Sequence, residues 1–211
     1  MTAAAPSRFT EDEYIERERR SETKHEFLRG RISEQGGSII AMAGASPRHN
    51  AIAANLIIAL GGALRGGPCS VLTGDQRVHV EGTGLYTYPD VTVVCDRPRF
   101  HPKYPDTLLN PKLVIEVLSD STEAYDRGAK FAHYRNIPSV EEYVLVSQAE
   151  RRIEHYRRLE TGQWLLTELN DEGAVPLPAL GCELRLADVY EGVDRFDPRL
   201  EGEREGPPAS A

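Results

Sequence analysis

The chain has 211 residues, 40% of them apolar and 27% charged, with a net charge of −8. That is the composition of a folded globular protein, which excludes collagen-like and wholly disordered chains, and the acidic balance argues against a general nucleic-acid coat protein. It does not exclude a nuclease, because a carboxylate-rich site for a divalent cation is itself acidic and a local basic patch can still grip DNA.

No run of 18 apolar residues exists; the most apolar stretch, 51–64, is too short to span a bilayer and runs into glycines. The first eight residues lack a basic start followed by an apolar core, so no secretory signal is read. Cys69, Cys95 and Cys182 are widely spaced, odd in number and form no CxxC or zinc pattern. The expectation is a cytoplasmic protein with reduced thiols and no membrane partner. Residues 1–8 and 197–211 are small, polar or without apolar periodicity and read as flexible tails. Between them there is neither a linker nor an internal repeat, so one domain over residues 9–195 is expected.

In chain order, Thr10-Glu11-Asp12-Glu13 reads as a capping box opening a short helix. Residues 24–33 carry a strand pattern, and Gly36-Gly37 suggests a hairpin into 38–42. Ser46-Pro47 starts a helix with proline at its first position. Ile52, Leu56, Ala59, Leu60 and Ala63 keep its spacing, and Gly61-Gly62 with Gly66-Gly67 are expected to end it. Strands follow at 69–73, 77–80 and 90–95. Residues 113–118 form an apolar run broken only by Glu116, the pattern of a central strand buried on both faces. A helix from Ser121-Thr122-Glu123 to about Asn136 is stopped by Pro138. Then come a strand at 143–147, an antiparallel hairpin of 152–158 with 164–169, and a short element at 186–190. This order indicates an α/β or α+β protein with helices on a mixed sheet.

Two carboxylates stand out. Asp90, in Tyr88-Pro89-Asp90-Val91, sits at the mouth of a strand, where it is either a metal ligand or a turn residue. Glu116 interrupts the central strand. A carboxylate buried without a partner costs several kcal/mol, of order 2–7, or is forced neutral. Glu116 therefore needs a metal, an ammonium or a guanidinium. Acids on neighbouring strands can converge on one hard divalent cation that keeps waters, one of which can be the nucleophile. The nearest lysine by sequence is Lys130, on the following helix. Asp126 lies four residues before it on the same face, so an ordinary surface pair is the alternative.

These residues resemble a known family. Tyr-Pro-Asp90-Val, Val-Ile-Glu116-Val-Leu-Ser-Asp-Ser-Thr, Tyr-Asp126-Arg-Gly-Ala-Lys130-Phe-Ala-His-Tyr and Val-Glu-Glu-Tyr-Val-Leu-Val are similar to the bacterial restriction endonuclease family within the PD-(D/E)XK nuclease superfamily. The resemblance spans roughly residues 10–190. It implies a restriction-endonuclease-like mixed β-sheet flanked by helices, with added β-hairpins, a Mg²⁺ (or Mn²⁺) site and a homodimer. By position, Asp90 matches the acid of the Pro-Asp element and Glu116 the acid of the Glu-x-Lys element. The lysine of that element is absent, since Leu118 stands two residues on. The resemblance suggests that Lys130, displaced to the helix, takes its role. The rival, Lys112, shares a strand face with Glu116 but lies about 13 Å away along it, at about 3.3 Å per residue. Glu26, in His25-Glu26-Phe27-Leu28-Arg29, resembles the family's N-terminal acid and is either an outer site residue or a strand residue paired with Arg29 or Arg31. His49 resembles a family position too. Tyr134, one turn beyond Lys130, reads as a packing residue.

Arg97, Arg99, His101 and Lys103, and separately Arg151, Arg152, Arg157 and Arg158, either meet phosphates or form solvated faces. No phosphate-cradling GxxxxGK[ST] and no Gly-x-Ser-x-Gly elbow is present. The leading expectation is a metal-dependent endodeoxyribonuclease. Asp90, Glu116 and the Val117 carbonyl would hold the metal, Lys130 would position water or stabilise charge, and Glu26 and His49 would form an outer shell. The alternatives are a non-catalytic nucleic-acid-binding protein and a structural homodimer on the same fold. The late hairpin, with Tyr156 and Trp164, is the apolar surface expected to pair two copies.

Overall fold

The structure, a computed structural model, describes residues 9–29, 37–42 and 45–196. The expected tails at 1–8 and 197–211, and the turn expected around Gly36, lie outside the described residues. Helix α1 (Glu11–Glu18) starts as the sequence predicts. The Thr10 hydroxyl accepts from the Glu13 amide at 3.2 Å, and Glu13 Oε2 accepts from the Thr10 amide at 2.7 Å. Strands β1 (His25–Arg29) and β2 (Gly37–Ala41) pair antiparallel. Helix α2 (Pro47–Ala63) opens on Ser46, whose hydroxyl accepts from the His49 amide at 3.1 Å, with Pro47 in its first turn. The helix runs through Gly61-Gly62, contrary to the sequence expectation. It ends before Gly66, whose φ of +79° only glycine adopts at no steric cost.

Strands β3 (Cys69–Thr73), β4 (Arg77–Val80), β5 (Leu85–Thr87), β6 (Val91–Cys95), β7 (Thr107–Leu108) and β8 (Leu113–Leu118) follow. The next helix is continuous but not uniform. A turn of α3 (Glu123–Tyr125) and a turn of α4 (Phe131–Tyr134) flank a π-helical segment, Asp126–Lys130. Strands β9 (Glu142–Ser147), β10 (Arg152–Arg158), β11 (Trp164–Asn170), β12 (Ala174–Leu177) and β13 (Cys182–Arg185) precede the short helix α5 (Leu186–Val189). The two-residue β7, β5 and the β12–β13 hairpin carry no alternation long enough to be read from sequence.

Among the described residues the strands form a six-stranded sheet, β11-β10-β9-β8-β6-β3, a five-stranded sheet, β2-β1-β5-β4-β7, and the β12–β13 pair. In the six-stranded sheet β8 and β9 are parallel and the other neighbours antiparallel, giving a mixed α+β architecture. All six residues of β8 are buried, as the apolar run predicts. Alternation divides them between two cores. Leu113, Ile115 and Val117 pack with Ile52, Leu56 and Leu60 of α2 and with Leu184, Leu186 and Val189. Val114 and Leu118 face Val78, Val80 and Leu85 of the five-stranded sheet and Tyr134 of α4. Burying each such side chain stabilises by about 1.5–3 kcal/mol. Glu116 lies between Ile115 and Val117, so strand geometry sends it to the second face, with Val114 and Leu118.

Two expectations are corrected here. Cys69 and Cys95 are not reduced thiols: they are cross-strand partners in the β3–β6 ladder and form a disulfide, leaving Cys182 as the free cysteine. Twenty-six residues separate them in sequence, a gap that only the strand register closes. Tyr156 and Trp164 are not a spare apolar surface either, because both rings pack on Phe131 of the same chain, at centroid distances of 4.6 and 5.2 Å. A thiol titration in denaturant without reductant is expected to find one reactive cysteine. Replacing Cys69 and Cys95 by serine is expected to lower unfolding free energy by about 3 kcal/mol, the loop-closure contribution for this separation. Three reactive thiols would overturn this pairing.

Candidate active site

Glu116 is approached from the helix above it. Lys130 and Tyr134 stand four residues apart and reach the same carboxylate oxygen. Lys130 Nζ lies 3.0 Å from Glu116 Oε1, and the Tyr134 hydroxyl donates to that oxygen at 2.7 Å. One turn earlier, Asp126 Oδ1 lies 3.5 Å from Lys130 Nζ. The π-helical turn from Asp126 to Lys130 keeps both side chains on the sheet side, where each is buried. π-turns of this kind are rare and concentrate at functional sites. The expected surface pair of Asp126 and Lys130 is thus an interior one.

The five-stranded sheet contributes Glu26. Its Oε1 accepts from the Thr87 hydroxyl at 2.5 Å and lies 3.4 Å from Lys130 Nζ, and its Oε2 accepts from the Tyr125 hydroxyl at 3.0 Å. The side chains of Arg29 and Arg31, the partners that the strand alone suggests, lie outside the described residues. Asp90 stands at the entrance to β6, just beyond the Val91–Ile115 pair. Its Oδ2 accepts from the Val117 amide at 2.7 Å and lies 3.2 Å from His49 Nε2. His49 reaches it from the first turn of α2, and its Nδ1 is buried without a hydrogen-bond partner. Lys112 is elsewhere, 3.3 Å from Glu141.

One ammonium therefore lies within 3.5 Å of three carboxylates, with a fourth, Asp90, acting on it through space. The charges do not balance. Burial disfavours the Lys130 ammonium, but Glu116, Glu26, Asp126 and Asp90 outweigh it and hold Lys130 charged well above its ordinary range. Glu116 is raised as well, from 4.5 to about 8: burial is the leading cause, Asp90 and Asp126 add to it, and Lys130 and the Tyr134 hydroxyl oppose it. Asp126 is raised for the same leading reason, burial, with Lys130 opposing. One ammonium facing four carboxylates leaves surplus negative charge, which a bound proton or a further cation reduces. Among the described residues no three His, Cys, Asp or Glu side chains are arranged to enclose a metal ion. What is assembled is an acidic pair beside a backbone strand end, with a buried ammonium.

All five side chains singled out from the sequence, Glu26, His49, Asp90, Glu116 and Lys130, gather in this one region. Asp126 was read only as a surface partner of Lys130, and Tyr125, Thr87 and the hydroxyl role of Tyr134 were not read from it. The four-residue spacing of Asp126, Lys130 and Tyr134 was the available signal for two of them; Thr87 and Tyr125 are joined to the site only through tertiary contact with Glu26. The basic clusters are mostly engaged in pairs. Lys103 meets Asp12, Arg99 meets Glu81, Arg151 meets Asp194, and Arg152 meets Glu150.

Comparison with known proteins gives the family and the fold. A family model described as "Uma2: Putative restriction endonuclease" matches residues 11–187. Two Synechocystis sp. proteins, the uncharacterized proteins sll1609 and slr1290, are 37% identical over 174 residues and 35% identical over 197 residues. The matches cover 82% and 92% of this chain and 94% and 99% of theirs. The fold is similar to the crystal structure of a "putative nuclease belonging to DUF820" from Anabaena variabilis, with a TM-score of 0.69. That match covers 88% of this chain and 99% of the other at 18% identity, and it supports the restriction-endonuclease-like fold.

The electrostatics give a signed expectation. A carboxyl whose folded pKa is raised binds more protons in the native state than in the unfolded one, so native stability falls as pH rises between the two values. For Glu116 that window runs from about 4.5 to about 8. Urea unfolding of the metal-free protein is expected to lose up to a few kcal/mol across it, one pKa unit being about 1.4 kcal/mol. Glu116→Gln, neutral throughout, is expected to flatten the decline. An equally steep decline in the variant would assign it to other groups.

Proposed function

Because this chain belongs to the Uma2 family of restriction endonuclease-like proteins, we propose that it is a metal-dependent endodeoxyribonuclease, a hydrolase of DNA phosphodiester bonds, formed by one nuclease-like domain over residues 9–195. The observation that carries the reading is the buried Lys130 ammonium, 3.0 Å from Glu116 on the central strand. It supplies from the helix the lysine that the strand lacks.

The residues present suit a hard divalent cation such as Mg²⁺ or Mn²⁺, which takes oxygen ligands and needs only one or two carboxylates while keeping its waters. Among the described residues the Val117 amide and His49 both meet Asp90 at Oδ2, and the Tyr134 hydroxyl and the Lys130 ammonium both meet Glu116 at Oε1; each carboxylate thereby keeps an oxygen for a ligand. The Val117 amide faces Asp90, and in a strand the carbonyl of a residue points to the same edge as its amide. Asp90, Glu116 and the Val117 carbonyl would hold the ion. The surplus of negative charge around Lys130 is relieved by it. When bound, such a cation supplies a Lewis acid for a phosphate oxygen and makes water a stronger nucleophile.

The remaining roles belong to the chain's own groups. Lys130 aligns the attacking water or stabilises the negative charge that develops on the phosphoryl oxygens. Glu26, already held by Thr87 and Tyr125, is a second anchor for the ammonium, 3.4 Å from it. His49 fixes Asp90. In its proposed homodimer, Leu165 and Leu166, 45% and 48% exposed on the edge strand β11, form part of the contact. Light scattering at twice the monomer mass is the expected sign. Among the described residues no helix is long and apolar enough to cross a membrane, and the reading places the enzyme in the cytoplasm.

A second reading rests on one specific observation: Lys130 is matched by three carboxylates, as in a purely structural ion cluster of a non-catalytic nucleic-acid-binding protein or structural homodimer. Cleavage decides between them. With Mg²⁺ or Mn²⁺, the protein is expected to cut plasmid DNA more readily than RNA of equal length. Glu116→Ala and Lys130→Ala are expected to lower the rate at least 100-fold, in the range of lost general acid–base or charge stabilisation. Lys130→Arg is expected to restore little, because a planar guanidinium does not fill the place of a compact ammonium. Wild-type cleavage by Lys130→Ala would refute the assignment.

A further inference from the structure

Tyr134 is fully buried at the centre of the second core, its ring against Tyr143 at a centroid distance of 5.4 Å. If packing were its whole role, phenylalanine would fill the volume without a hydroxyl to desolvate. The hydroxyl instead donates to Glu116 Oε1, the same oxygen that takes Lys130. The hydroxyl and the ammonium sit one turn apart on one helix and hold one oxygen, the first by a hydrogen bond and the second by an ion pair. The last torsion of a glutamate side chain is broad and roughly two-fold, so an ungripped carboxylate exchanges its oxygens freely. A grip on Oε1 alone fixes that torsion and leaves Oε2 as the oxygen turned away from the helix.

We infer that Tyr134 is a positioning residue for the candidate nuclease site: with Lys130 it clamps Glu116 Oε1, so that Oε2 is presented for a divalent cation beside Asp90. This rests on the proposed metal site and adds to it a residue that neither touches the metal nor the substrate. A group that orients a ligand in this way typically contributes 10–100-fold to metal affinity when removed.

The test compares full-length wild type with Tyr134→Phe and with Tyr190→Phe. Tyr190 is also fully buried, but on the opposite face of the sheet, where its hydroxyl donates to the carbonyls of Ser147 and Arg152 at 2.7 and 2.9 Å. Mn²⁺ affinity is read from the electron paramagnetic resonance signal of the free ion, and the Glu116 carboxylate is located in metal-free crystals. Tyr134→Phe keeps the ring in place and is expected to fold. It is expected to weaken Mn²⁺ binding about 10–100-fold, to lower kcat with KM for DNA unchanged, and to let the carboxylate leave its position. Tyr190→Phe is expected to lower the melting temperature without changing Mn²⁺ affinity. Unchanged Mn²⁺ affinity and an unmoved carboxylate in Tyr134→Phe would overturn the inference, as would an equal loss of affinity in Tyr190→Phe. If wild type itself takes up no Mn²⁺, the metal-site reading falls. The metal-free crystals still decide the clamp: a displaced Glu116 upholds it and an unmoved one refutes it.

Discussion

A lysine ammonium enclosed by acids is the constraint on which the rest of this structure turns. Lys130 is 5% exposed, and an ion placed so deep is tolerable only if its counter-charges arrive with it. They arrive from three separate parts of the chain: β1 brings Glu26, β8 brings Glu116 and the π-helical turn brings Asp126. Each part is stable only where the others dock. Removing the ammonium would leave buried carboxylates facing one another, and removing the carboxylates would leave a bare buried cation. The two sheets and the helix are thus held in one arrangement by charge at a place where apolar packing alone would allow sliding.

The sheet explains why the cluster stays acidic instead of neutralising itself with a second base. On its other face, β8 is committed to the α2 core through Leu113, Ile115 and Val117. The helix above Glu116 spends its remaining inward positions on Tyr134 and on the stacking of Phe131 against Tyr143 at 5.1 Å. Its outward arginine, Arg127, is taken up by Glu154 and Glu123. That network pins the helix to β10 through the buried carboxylate of Glu154. The fold therefore leaves a local surplus of negative charge, which a proton on Glu116 or a bound cation relieves.

Much of this was legible from residue order. Glu116 announced itself because a single acid in a run of buried apolar residues needs a partner. The capping residues Thr10 and Ser46 announced their helices because their side chains complete a local hydrogen-bond pattern. What remained hidden depends on pairing between distant segments. The Cys69–Cys95 bridge needs the β3–β6 register, and the partners of Glu26 need the packing of one sheet on the helix. Tyr156 and Trp164 looked superfluous to the hairpin because Phe131, which they cover, is more than 20 residues away in the chain. Glycine pairs misled in the opposite direction: Gly61-Gly62 are helical because the apolar face of α2 continues past them to Leu64, and tertiary burial outweighs the roughly 1 kcal/mol that each glycine costs a helix.

The π-helical turn has a consequence for how such a site can vary. In an α-helix each residue advances about 100° around the axis. The wider turn between Asp126 and Lys130 absorbs what amounts to an extra residue, so it sets the angular phase of everything after it. If the same residues wound as a uniform α-helix, with nothing absorbed, Lys130 and Tyr134 would turn about a quarter of a revolution away from Glu116 without a change in any side chain. The position of the ammonium is therefore written in the winding of the chain as much as in its lettering. A relative could keep every acid and every lysine of this site and still lose their convergence if that one turn wound differently.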